Sequence, residues 1–111
     1  MSSDNKFLIL GVDVIDSKGR RKSDVYIESG KISRVEKAGE LSATNFVGAH
    51  VIEADGLVLS PGFVDIQVHL REPGFEESED LETGSRAAVV GGVTAAQCMP
   101  NTNPCIDSAQ N

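Results

Sequence analysis

Phe63-Val-Asp-Ile-Gln-Val-His-Leu-Arg71 is the stretch on which both the fold and the chemistry turn. From Val64 onward it alternates strictly: Val64, Ile66, Val68 and Leu70 share one parity, and Asp65, Gln67, His69 and Arg71 share the other. Successive side chains of a strand point to opposite faces, so the spacing predicts a strand with one apolar face and one polar, reactive face. Glu72-Pro-Gly-Phe75 ends it. Glu76, Glu77, Glu79 and Asp80 then place negative charge where a helix N-terminus favours it, ahead of a helix over Leu81 to Val90 that Gly91-Gly92 stops. Val93 to Met99 returns to strand-like composition and halts at Pro100. Residues 63–99 therefore read as one strand, helix, strand unit, with a right-handed crossover and parallel strands.

Upstream, the chain reads as strands and turns only. Phe7 to Ile15 is apolar and β-branched and runs into the turn-rich Asp16–Ser23, which predicts a strand followed by an exposed loop. Asp24–Glu28, Ser29-Gly30 and Lys31–Glu36 predict a tight hairpin, because glycine supplies the positive φ of such a turn. A polar connector covers 37–49. Val51–Glu53 and Leu57–Leu59 flank Asp55-Gly56, a second turn between short strands. The sum is a small all-β layer over residues 1–59 and the start of an α/β unit over 60–111.

The chain has 111 residues, whereas a closed barrel of eight strand-helix units takes on the order of 250. Two parallel strands and one helix cannot cover both faces of a sheet, so the expectation is an N-terminal fragment. Asp107-Ser108 reads as the cap of a following helix. With 10 Lys plus Arg against 17 Asp plus Glu the formal charge is −7, which lacks the basic footprint of a nucleic-acid or anionic-membrane partner. No stretch approaches the length of a membrane span, and a cytoplasmic location is the default expectation. Cys98 and Cys105, seven apart, fit neither a zinc knuckle nor a disulfide scaffold and are expected to be reduced thiols.

On the reactive face, residues 67 and 69 can both reach one ion at the strand's end. Only His69 is an imidazole. The carboxamide of Gln67 is a weaker zinc ligand than a histidine would be. For His69 alone, a hydrogen bond inside the sheet serves as well as ligation. Arg71 can clamp an anion with its guanidinium fork, or pair with Glu72, Glu76 or Glu77. Asn101, just after the second strand, can donate its amide to the same anion, or satisfy its own turn.

Ser60-Pro-Gly-Phe-Val-Asp-Ile-Gln-Val-His-Leu-Arg-Glu-Pro-Gly74, Glu79-Asp-Leu-Glu-Thr-Gly84, Ala87-Ala-Val-Val-Gly-Gly-Val-Thr94 and Met99-Pro-Asn-Thr-Asn-Pro104 together resemble the N-terminal portion of the bacterial dihydroorotases, in the amidohydrolase superfamily. Leu-Arg-Glu-Pro-Gly with Met-Pro-Asn-Thr points to dihydroorotases rather than to hydantoinases or allantoinases.

The resemblance implies a metal-dependent (β/α)8 barrel preceded by a small β-sandwich built partly from N-terminal strands, here truncated with the barrel not closed. It implies zinc as cofactor and a small-molecule substrate, in the reversible interconversion of N-carbamoyl-L-aspartate and L-dihydroorotate of pyrimidine biosynthesis. His69 matches the second histidine of the family's His-x-His zinc motif, and Gln67 stands at the first, which weakens or removes that ligand. Arg71 and Asn101 match positions that hold the substrate carboxylate. Asp65 matches the acid that opens the motif. The catalytic aspartate and remaining zinc histidines come from later strands, so this chain carries no catalytic residue and is expected to be inactive alone. Some members of the family are non-catalytic scaffolds for aspartate transcarbamoylase, and Gln67 keeps that reading open; a homo-oligomer and a sibling cyclic amidohydrolase acting on another ring are further alternatives.

Overall fold

The computed structural model describes residues 5–110 and divides into two compact units between Pro61 and Gly62. In the first unit, β1 (Lys6–Asp16), β2 (Gly19–Glu28), β3 (Lys31–Lys37), β4 (His50–Glu53) and β5 (Val58–Leu59) form a five-stranded sheet, ordered β3-β2-β1-β4 with β5 also on β1. The β2–β3 hairpin forms as the sequence predicts, and both turn residues adopt positive φ, Ser29 at 52° and Gly30 at 75°. This matches the twist that two-residue hairpins require.

One feature departs from the sequence reading and two lie beyond it. The exposed loop expected over Asp16–Ser23 shrinks to a two-residue turn, with Asp16 facing Gly19 and β2 already under way. Charged side chains make 19–23 look like loop, yet they pair with acids of β1 and of the β4–β5 turn: Arg20 with Asp13 at 2.6 Å, Arg21 with both oxygens of Asp16 at 2.9 Å, Lys22 with Asp55. The Arg21 guanidinium, aided by the Lys18 backbone N–H, pulls the Asp16 carboxyl down to about 2. Second, β4 and β5 do not pair with each other. The 54–57 turn forms, Leu57 N–H donating to Ala54 O at 3.0 Å, but both strands lie parallel to β1, β4 beside Phe7–Leu10 and β5 beside Asp13–Val14.

Third, β1 changes parity. A register shift falls between Ile9 and Val12, around Gly11 at φ 70°. Such a bulge moves every later side chain to the other face. Consequently Ile9, Val12 and Val14 all pack with Val25 and Ala54, while Leu8 packs with Tyr26 and Leu41 on the opposite side. The bulge is held by Asp24, only 1% exposed. Its carboxylate accepts the Gly11 N–H at 2.9 Å, Gly39 at 2.8 Å and Leu41 at 3.1 Å. Burial works to raise the Asp24 pKa, and these backbone donors together outweigh it and hold the carboxyl below its usual range. The same bonds pin the 38–49 connector over the sheet, where Phe46 stacks on Tyr26 with ring centroids 4.4 Å apart.

In the second unit, β6 (Phe63–Val68) and β7 (Val93–Cys98) form a parallel pair, joined by α1 (Leu81–Val90). The helix spans the residues the sequence assigns to it. Asp80 caps it, accepting the Thr83 N–H at 2.8 Å while Thr83 Oγ1 accepts the Asp80 N–H at 3.2 Å. The glycine stop is shared: Gly91 stays right-handed at φ −78° and Gly92 makes the left-handed exit at 85°. Against the sheet, α1 approaches so closely at Gly84 that a methyl there would meet Leu70 Cδ2 at 2.6 Å. Phe63, Val64 and Ile66 remain 63%, 67% and 73% exposed, so both faces of the strand pair are open. No helix forms at Asp107-Ser108; Ser108 Oγ accepts the Gln110 N–H at 3.4 Å within a turn. Cys98 is a half-buried free thiol, and no described helix is long and apolar enough to cross a membrane.

Candidate active site

Because β6 and β7 run parallel, their C-terminal ends lie at one edge, where ligands of parallel α/β sheets bind. The sequence's candidates follow directly: His69 is next after β6, and Asn101 lies three residues beyond β7. Met99 N–H donates to Val68 O at 2.8 Å, carrying the strand contact past the end of β7. Beyond it the two side chains meet, His69 Nδ1–H donating to Asn101 Oδ1 at 3.0 Å. His69 also borders a pocket of about 210 Å³ between β6, α1 and β7, lined by Val68, Leu70, Ala88 and Ala96.

The alternation that predicts a strand through Arg71 stops earlier. Ladder pairing is irregular between Asp65 and Val68 and ends there. Arg71 then takes a left-handed conformation, φ 63°, which bulky residues seldom adopt. The turn is bound on several sides. Phe75 N–H donates to Arg71 O at 2.9 Å, and Asn103 N–H donates to Pro73 O at 3.0 Å. Gly74, at φ 102°, sits against the 101–104 segment; a Cβ there would meet Asn103 O at 2.4 Å.

Two of the three acids that could have neutralised Arg71, Glu72 and Glu76, are occupied by backbone. Glu72 Oε2 accepts the Leu81 N–H at the start of α1, at 2.8 Å, and Glu76 Oε1 accepts the Gly74 N–H at 2.9 Å. That bond holds the Glu76 carboxyl below its ordinary range. Among the described residues no carboxylate pairs with the half-buried Arg71 guanidinium. Glu72 is a residue that the sequence reading missed, treating it only as an ion-pair partner. Its signal was its position in the strand-to-helix turn, where an acid can satisfy a free helix N–H.

Asp65 and Gln67 lie in β6 and are exposed, with Asp65 Oδ1 accepting the Gln67 N–H at 3.0 Å. The fit to a metal ion is partial: this edge supplies one imidazole, and no group of three His, Cys, Asp or Glu gathers among the described residues.

Comparison with known proteins bears on the same region. A family model described as dihydro-orotase-like matches residues 56–111. The dihydroorotase of Solibacter usitatus (strain Ellin6076) is 51% identical over 98 residues, which is 86% of this chain and 22% of that protein. The dihydroorotase of Pelotomaculum thermopropionicum is 47% identical over 105 residues, 93% of this chain and 23% of that protein. Among solved structures, a crystal structure of D-hydantoinase superposes with a TM-score of 0.72 at 28% identity, covering 86% of this chain and 20% of that one. A D-hydantoinase from Thermus sp. gives 0.66 at 35% identity, covering 85% and 20%. The chain thus spans about a fifth of the length of the curated relatives it matches. With the strand-end arrangement and these matches together, the chain belongs to the dihydro-orotase-like family of cyclic amidohydrolases.

Proposed function

We propose that this chain supplies the carboxylate-binding edge of a zinc-dependent dihydroorotase acting in the cytoplasm on L-dihydroorotate and N-carbamoyl-L-aspartate. Residues 1–59 serve as the N-terminal β-sandwich portion and 60–111 as the first unit of a (β/α)8 barrel. The observation that carries the reading is Arg71, a guanidinium without a carboxylate partner among the described residues, following His69 and close in the fold to the segment that bears Asn101. Such a group favours an anionic substrate, which a dihydroorotate carboxylate provides and a neutral hydantoin ring does not. The open faces of β6 and β7 support further barrel strands, since parallel sheets are covered on both sides.

In this reading Arg71 grips the carboxylate in a bidentate fork and Asn101 donates to it, which orients the ring amide for attack. His69 contributes its Nε2 to the metal centre, with the other ligands and the proton-transferring aspartate coming from later strands. Zinc, when bound, polarises the amide carbonyl and acidifies water. Gln67 leaves that centre one imidazole short and favours, as a second reading, a non-catalytic partner of aspartate transcarbamoylase.

The test is a chimera in which residues 56–104 replace the matching segment of the Solibacter usitatus dihydroorotase. Turnover of dihydroorotate, with hydantoin turned over far more slowly, is expected. A folded chimera that holds zinc and hydrolyses neither ring favours the scaffold, and a preference for hydantoin overturns the substrate assignment.

A further inference from the structure

From the strand-end geometry we infer that Asn101 is a positioning residue that works from both ends of its amide. Its oxygen fixes the His69 ring with the proton on Nδ1 and the lone pair on Nε2, while its NH2 remains a donor for an anion held at Arg71. The anion half rests on the function proposed above; the imidazole half does not.

An amide oxygen can only accept a hydrogen bond. Its 3.0 Å contact with His69 Nδ1 therefore requires the proton on that nitrogen, and a neutral imidazole then has Nε2 bare. Histidines poised to ligate through one nitrogen are commonly held in this way through the other. The geometry is rigid because it sits on two parallel strand ends tied by the Met99–Val68 bond and on two loops tied by the Asn103–Pro73 bond. Glu79, the acid that lines the same pocket as His69, accepts from Thr83 Oγ1, and among the acids of β6 and the following turn Asp65 accepts the Gln67 N–H, Glu72 the Leu81 N–H and Glu76 the Gly74 N–H.

The residue type follows from the double task. A carboxylate at position 101 would hold the imidazole equally well but repel an anion. An amide offers an acceptor to the ring on one atom and a donor to a carboxylate on another. One side chain would thereby link the nitrogen left free to hold a metal to the group that recognises substrate.

The experiment uses the 111-residue chain labelled with 15N, at about pH 8.5, above the usual imidazole range. Long-range 1H–15N spectra report the tautomer of His69, with His50 as the other histidine. The proton is expected on Nδ1 in the unsubstituted chain by roughly ten to one, the ratio one hydrogen bond supplies. In Asn101→Ala this preference should vanish. Asn101→Asp should keep it, yet lose the succinate-dependent shifts of the Arg71 side chain that the unsubstituted chain and no other variant shows. A proton on Nε2 in the unsubstituted chain, or an unchanged tautomer in Asn101→Ala, overturns the imidazole half. Absent succinate shifts in the unsubstituted chain, with the tautomer as expected, overturn the anion half and count against the dihydroorotase reading instead.

Discussion

His69 Nδ1–H donates to Asn101 Oδ1 across 3.0 Å, joining residues 32 apart in sequence at the ends of adjacent parallel strands. Neither side chain reaches the other by local structure. The contact depends on the β6–β7 register and on the turn in which Arg71 goes left-handed, so it is sensitive to changes that touch neither partner.

Gly74 is the first such place. Replacing it by Ala forces a side chain into φ 102° and drives Cβ toward Asn103 O. A cost of about 2 kcal/mol is expected, as for strained backbone positions generally. Amide exchange at Asn103 should accelerate roughly 30-fold, following that cost. Exchange at Val25 in the first unit should not change.

Asp24 governs the first unit. Asp24→Ala removes the shared acceptor of the Gly11, Gly39 and Leu41 N–H groups, of which Leu41 is buried, and should lower stability by about 3 kcal/mol, the upper end for a lost buried acceptor. Asp24→Asn should restore little, because its NH2 faces donors. Urea unfolding followed by Tyr26, the one tyrosine in a chain without tryptophan, measures both.

The same residue sets a pH dependence. Its folded pKa lies below the unfolded value of about 3.9, so the unfolded state takes up the proton first as acid is added. The stabilisation is full above about pH 5 and is lost as pH falls through the folded value. The urea midpoint should decline below about pH 4, and less steeply in Asp24→Asn. Parallel declines in the two proteins would assign the effect to Asp16 and the other surface acids.

The metal position makes its own prediction. The purified 111-residue chain should show no dihydroorotate turnover. In the chimera, Gln67→His should raise zinc content after equal metal exposure, measured by elemental analysis, because imidazole binds zinc better than a carboxamide. Unchanged content would remove position 67 from the ligand set.

What was legible in the sequence followed from local rules. Asp80, the Leu81–Val90 run and Gly91-Gly92 mark α1 at both ends, and Ser29-Gly30 marks the hairpin. What was not legible is long-range. The parity change in β1 depends on an aspartate 13 residues away that holds Gly11. β2 hides its first turn of residues behind charges that only sheet pairing neutralises, and β4 and β5 find β1 rather than each other. At the site, the sequence placed His69, Arg71 and Asn101 at strand ends, but an alternating pattern carries no information about where the ladder stops or how Arg71 turns.

Recognition of a substrate carboxylate by Arg71 is measured most directly by kcat/KM of the chimera for dihydroorotate with Arg71→Ala and Arg71→Lys. Loss of a bidentate anion clamp predicts a fall of roughly 100-fold in Arg71→Ala, about 3 kcal/mol, with lysine recovering only part of it. Turnover of dihydroorotate undiminished in Arg71→Ala would mean that Arg71 does not hold the substrate carboxylate.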